Sequence, residues 1–106
     1  MGIKEFTKEI SPDGNERLRI KIVAQKGKIS DIVVQYESKI MDKWHPIVRY
    51  DCSYGFFHRD ILTPKGEKLK QVISIKNLKD ALTYAEQDIK DRWEWYKERY
   101  KKRMKK

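Results

Sequence analysis

The chain contains one cysteine, Cys52, and two histidines, His45 and His58, in 106 residues. A lone cysteine excludes an internal disulfide framework and any cysteine-based zinc cluster. So few histidines also argue against a metal centre, and no cofactor is expected. Apolar runs are short as well, none approaching the roughly 20 residues that span a bilayer. The opening Met1-Gly2-Ile3-Lys4-Glu5-Phe6 has neither the apolar stretch of a signal peptide nor the Ser or Thr of a myristoylation signal. These absences predict a soluble, cytoplasmic protein with no membrane partner. Asparagine occurs only at Asn15 and Asn77 while Glu, Lys and Arg abound. That balance is enriched in hyperthermophile proteins, because ion hydration becomes less favourable on heating. With neither an internal repeat nor a Gly/Ser linker, the length reads as a single domain.

Charge is what the chain has in excess. Lys and Arg number 25 against 16 Asp and Glu, a net charge of +9, and charged residues make up 39% of the whole. Residues 97–106 alone hold seven bases and one acid, leaving 18 bases against 15 acids elsewhere. The body is therefore nearly balanced, and the basic excess is concentrated at the C-terminal end.

Periodicity separates the chain into a strand-rich part and a helix. Residues 1–16 are ambiguous: Ile3, Phe6 and Ile10 suit one helix face, whereas Ser11-Pro12-Asp13-Gly14 is a turn signal that equally joins two strands. From Arg17 the period is two. Leu18, Ile20, Ile22 and Ala24 alternate with Arg17, Arg19 and Lys21; beyond the turn at Gln25-Lys26-Gly27-Lys28, Ile32, Val34 and Tyr36 alternate with Asp31, Gln35 and Glu37. Further strands are expected over Trp44 to Asp51, Phe56 to Thr63 and around Lys68 to Ile75, joined by Cys52-Ser53-Tyr54-Gly55 and Thr63-Pro64-Lys65-Gly66. Connections this short favour an antiparallel meander of about five strands. Pro46, which has no N–H, belongs at a strand start or an unpaired side. At Asn77 the period changes: Leu78, Leu82, Ala85, Ile89, Trp93, Tyr96 and Tyr100 recur at helical spacing. Asn77 is the expected N-cap of a helix reaching Met104. At about 1.5 Å per residue this helix is roughly 40 Å long, so its last turns should overhang strands of roughly 26 Å. The fold class is α+β, an antiparallel sheet with one long C-terminal helix across one face.

Two constellations carry candidate chemistry. Both histidines fall between Trp44 and Asp60, together with two arginines and two aspartates. With a two- or four-residue loop, Asp51 would face Phe56, Arg49 would face His58 and Ile47 would face Asp60. Strand parity then gathers His45, Arg49, Asp51, His58 and Asp60 on one face. Such a face suits metal-independent phosphodiester chemistry. His58 would transfer the proton, Arg49 would hold the phosphate, Asp51 or Asp60 would orient the imidazole, and His45 would be the second proton-transfer group. It is equally what a solvated face of paired charges looks like. Arg59, by the same parity, falls on the apolar face and must snorkel at an edge or pair with a buried acid. The second constellation is on the helix, where Arg92, Trp95, Arg99, Lys102, Arg103 and Lys106 mix basic groups with an aromatic away from the apolar stripe. Cations neutralise phosphates and an exposed aromatic stacks on bases, so this surface suits RNA or another polyanion. Alternatively the tail merely complements the helix dipole. Tyr96, Tyr100 and Met104 also continue the stripe past the expected sheet, where they could pack against a second copy as a homodimer.

The stretch Val48-Arg49-Tyr50-Asp51, then Gly55-Phe56-Phe57-His58-Arg59-Asp60, then Pro64-Lys65-Gly66, resembles a group of small prokaryotic proteins of uncharacterised function. More distantly it looks like the TumE type of toxin from toxin–antitoxin modules. That resemblance implies a small sheet-rich protein acting on RNA, with an antitoxin partner and with Arg49, Asp51 and His58 at the corresponding positions. The expectation is a nucleic-acid-interacting protein, either a toxin-type ribonuclease or a non-catalytic binding or assembly module.

Overall fold

The computed structural model describes residues 2–53 and 55–105, which form six strands and one helix. The strands are β1 (Gly2–Glu9), β2 (Glu16–Gln25), β3 (Lys28–Ile40), β4 (Lys43–Asp51), β5 (His58–Leu62) and β6 (Lys68–Val72), and the helix is α1 (Leu78–Met104). The sheet runs β1-β2-β3-β4-β5-β6, every neighbour antiparallel. The expected meander is present with one more strand than the alternation revealed. The addition is β1, in the segment that was ambiguous. Its residues are exposed throughout, so no buried alternation marks it in the sequence.

Turn chemistry sets the first registers. Lys26 and Gly27 both have positive φ, as do Met41 and Asp42. Tight turns with left-handed central residues match the twist of the strands they join, so β2, β3 and β4 pack as close hairpins.

Alternation then builds the core. Leu18, Ile20, Ile32, Val34, Tyr36, Val48, Tyr50, Phe57 and Ile61 point to one face, where Ala81, Ala85, Ile89, Tyr96 and Tyr100 of α1 cover them. Ile22 of the alternating face and Leu82 and Trp93 of the helical stripe are only partly buried against it. The helix starts where expected: the Asn77 side chain accepts the N–H groups of Lys79 and Asp80, and Asp80 stands in the first turn with basic residues in the last.

The helix does not overhang the sheet. β3 has 13 residues, about 43 Å at 3.3 Å per residue, and therefore runs the full length of the 27-residue helix. Tyr96 and Tyr100, expected to project beyond the sheet, are instead 1% and 5% exposed within this one chain. Met104, the third residue of that stretch, is partly buried against the same core.

One irregularity re-aims side chains in β4. Tyr36 pairs with Val48 while Glu37 pairs with Pro46, which leaves Ile47 as an extra residue opposite the β3 ladder. Such a bulge reverses the alternation beyond it. Ile47 and Val48 are consequently both buried, and everything before Ile47 points the opposite way from what uninterrupted parity predicts.

Candidate nucleic-acid interface and buried carboxylate–histidine cluster

The bulge separates the two histidines. His45 Nδ1 lies 3.2 Å from the Tyr100 hydroxyl, on the helix side of the sheet. It does not join Arg49, Asp51, His58 and Asp60, contrary to the parity expectation. The other four do come together, through a register displaced by two residues from the expected one. The β4–β5 connection spans residues 52–57, so Asp51 pairs with His58 and Arg49 with Asp60. An even displacement preserves faces, which is why these four still share the side away from α1.

Asp51 organises this cluster. The Ser53 N–H and hydroxyl donate to Asp51 Oδ1 at 3.1 and 2.9 Å, a local turn that starts the β4–β5 loop. Arg49 Nε donates to Oδ2 at 2.8 Å. Burial pushes the Asp51 carboxyl pKa up, but these donors and the nearby His58 outweigh it and hold the group below its ordinary range. His58 Nε2 lies 2.9 Å from Asp51 Oδ1 and 3.6 Å from Asp60 Oδ2, while His58 Nδ1 is 3.2 Å from the Phe56 carbonyl oxygen. His58 and Asp60 are 1% and 2% exposed. Burial on the face away from the helix is unusual for such groups and has to be matched by partners.

The cluster belongs to a longer polar chain across the sheet. Arg17 Nε donates to Glu37 Oε1 at 2.7 Å, Gln35 Nε2 to Glu37 Oε2 at 2.6 Å, and an Arg49 amino group to Gln35 Oε1 at 3.2 Å. Arg17 also lies over the Trp44 ring at 3.7 Å. Lys68 ends the line, 4.0 Å from Asp60 Oδ2. Beside it Glu5, Arg19, Lys21, Gln35 and Arg49 line a groove of about 360 Å³. Sequence reading missed Gln35, Glu37 and Ser53 as members. The first two alternate in phase with Asp31 on the polar side of β3, which was the available signal.

On the helix side, Arg59 pairs with a buried acid, as its parity required. Its guanidinium is 3.3 Å from Asp88 and donates to the Tyr50 and Tyr96 hydroxyls at 3.1 Å each. Its other side engages Gln71 of β6. Tyr50 and Tyr96 in turn donate to Asp88. Burial, then the Asp88 acceptor, raise both phenols, Tyr96 to about 12. This network bolts α1 to β4, β5 and β6.

The second candidate surface is assembled on exposed α1. Trp95 is 50% exposed, with the Arg92 guanidinium 4.9 Å and that of Arg99 6.0 Å from its ring. Trp95, Glu98, Arg99, Lys102 and Arg103 line a depression of about 400 Å³. Lys106, the last of the expected group, lies outside the described residues. Lys97 is turned away from this surface, its Nζ 2.6 Å from the buried Glu16 carboxylate.

Residues 1–106, the whole chain, match a family described as a domain of unknown function (DUF7718). The chain belongs to that family. No curated protein and no solved structure matches it. Among the described residues no helix is long and apolar enough to cross a membrane.

Proposed function

We propose that the protein binds single-stranded nucleic acid, RNA in the first instance, through the exposed side of α1, without catalysing its cleavage. One observation carries this reading: Trp95 stands half exposed between the guanidinium groups of Arg92 and Arg99, with Lys102 and Arg103 along the next turn. An aromatic face stacks on any base, and flanking cations engage the phosphates on either side, so recognition is sequence-tolerant and salt-sensitive. The near balance of charge elsewhere makes this end the favoured landing place for a polyanion.

The test is fluorescence anisotropy of a labelled oligouridine with the full chain. Binding at low salt that weakens steeply as salt rises, and that Trp95→Ala reduces by about tenfold, supports the reading. Equal affinity in wild type and in a Trp95→Ala/Arg99→Gln variant sinks it.

A toxin-type ribonuclease is the weaker reading of the same partner class. The convergence of Arg49, Asp51 and His58 favours it. Against it, His58 is 1% exposed and His45 lies on the opposite side of the sheet, so the pair cannot flank one scissile bond. RNA cleavage by wild type that His58→Gln abolishes would restore it.

A further inference from the structure

We propose that Asp51, His58 and Asp60 form a binding site for a divalent first-row cation, Zn²⁺ or Mn²⁺, on the face of the sheet away from α1. The proposal is independent of nucleic-acid binding by the helix. The register creates it: Asp51 ends β4, and His58 and Asp60, two apart on β5, present their side chains to it from the adjacent strand. One donor atom from each residue lies within 4.8 Å of the other two. An ion about 2.1 Å from each donor would hold neighbouring donors roughly 3.0 Å apart in an octahedron and roughly 3.4 Å apart in a tetrahedron. The 2.9 and 3.6 Å separations from His58 Nε2 to the two carboxylates are close to these edges.

Hydrogen bonding points to what belongs between them. The Phe56 carbonyl oxygen can only accept, so His58 Nδ1 carries the proton in their contact. Its Nε2 faces both carboxylates, 2.9 Å from Asp51 and 3.6 Å from Asp60, and is the ring atom left for an ion between them. A backbone carbonyl on the outer nitrogen is also how metal-bound imidazoles are held. Asp51 is oriented in the same manner, by Ser53 and Arg49. Asp60 adds the decisive atom. Its Oδ1 is buried and has no hydrogen-bond partner among the described residues. A carboxylate oxygen so placed is costly unless a cation compensates it. Mixed nitrogen and oxygen donors suit Zn²⁺ or Mn²⁺ better than Mg²⁺. Lys68, 4.0 Å from Asp60 and half exposed, is free to swing into solvent as the ion enters.

The test uses the full chain, stripped with a chelator and titrated calorimetrically with Zn²⁺, Mn²⁺ or Mg²⁺. One equivalent of Zn²⁺ or Mn²⁺ is expected, with a melting midpoint raised by roughly 10 °C at a hundredfold excess over Kd and restored by chelator. Asp60→Asn should weaken binding about tenfold or more, and His45→Gln should leave it unchanged. Should Asp60→Asn fail to fold, ¹⁵N spectra of the wild type decide: Zn²⁺ must move the His58 Nε2 resonance and not those of His45. Absence of stoichiometric binding overturns the proposal and assigns the central position to a proton. A Zn²⁺ response at His45, or affinity unchanged in folded Asp60→Asn, overturns it equally.

Discussion

Lys97 Nζ sits 2.6 Å from Glu16 Oε2 and so closes the C-terminal half of α1 onto the first residue of β2. Glu16 is 1% exposed and accepts the Tyr36 hydroxyl at 2.6 Å through its other oxygen. A lysine from the basic tail is thereby a structural element, distinct from its neighbours Arg99, Lys102 and Arg103. Replacing Glu16 by Ala leaves the buried Tyr36 hydroxyl unpaired, while Lys97, partly exposed, escapes to water. The expected loss is about 2 kcal/mol, read from urea denaturation midpoints at constant m-value.

The two histidines should respond very differently to truncation. His58→Ala removes the group between two buried carboxylates and is expected to cost about 3–5 kcal/mol. His45 makes one hydrogen bond, to Tyr100, and His45→Ala is expected to cost about 1 kcal/mol. Thermal melts of the two variants side by side check the order, and equal losses would contradict the burial difference.

Alkaline conditions should loosen the helix from the sheet. Burial first, and then the Asp88 acceptor, raise the Tyr96 phenol from 10.0 to about 12, and Tyr50 is raised for the same two reasons. Above pH 10 the unfolded chain gives up these protons while the folded chain retains them, so stability is complete below that pH and falls as pH rises toward 12. Denaturant midpoints measured across this interval should decline, and Tyr96→Phe should flatten the decline.

The exposed side of α1 makes a prediction about salt. If Arg92 and Arg99 each neutralise a phosphate, replacing both by Gln lowers the slope of log K against log salt by about 1.4 for a single strand. Trp95→Ala should instead lower affinity by about 1–3 kcal/mol at every salt concentration and leave the slope unchanged. Parallel anisotropy titrations at several salt concentrations separate the two effects.

How far the sequence discloses these features depends on how regularly each one repeats. The helix is legible almost to the residue, because Asn77 caps it and a stripe from Ala81 to Tyr100 is packed along its whole length. β2 and β3 are legible because one of their faces is core. β1 is not, since it is exposed throughout and Ile3, Phe6 and Ile10 fit either period. The grouping of Arg49, Asp51, His58 and Asp60 survives a register displaced by two because face depends only on parity. His45 does not survive, because the extra residue at Ile47 reverses that parity; Pro46, which cannot donate to a ladder, is the one local hint of the irregularity. The Arg92, Trp95, Arg99 grouping is legible from helical spacing alone, whereas the burial of Tyr96 and Tyr100 depends on the unexpected length of β3.

The strictly sequential strand order governs how the molecule assembles. Each strand pairs with the next one in the chain, so the sheet can zip up hairpin by hairpin with short loop closures and little search. A long-range closure comes with α1, which returns across β3 so that Lys97 meets Glu16 some 81 residues upstream. Weakening that clasp should quicken unfolding, and β1, exposed along its whole length at the sheet edge, should exchange its amide protons before the helix that lines the core.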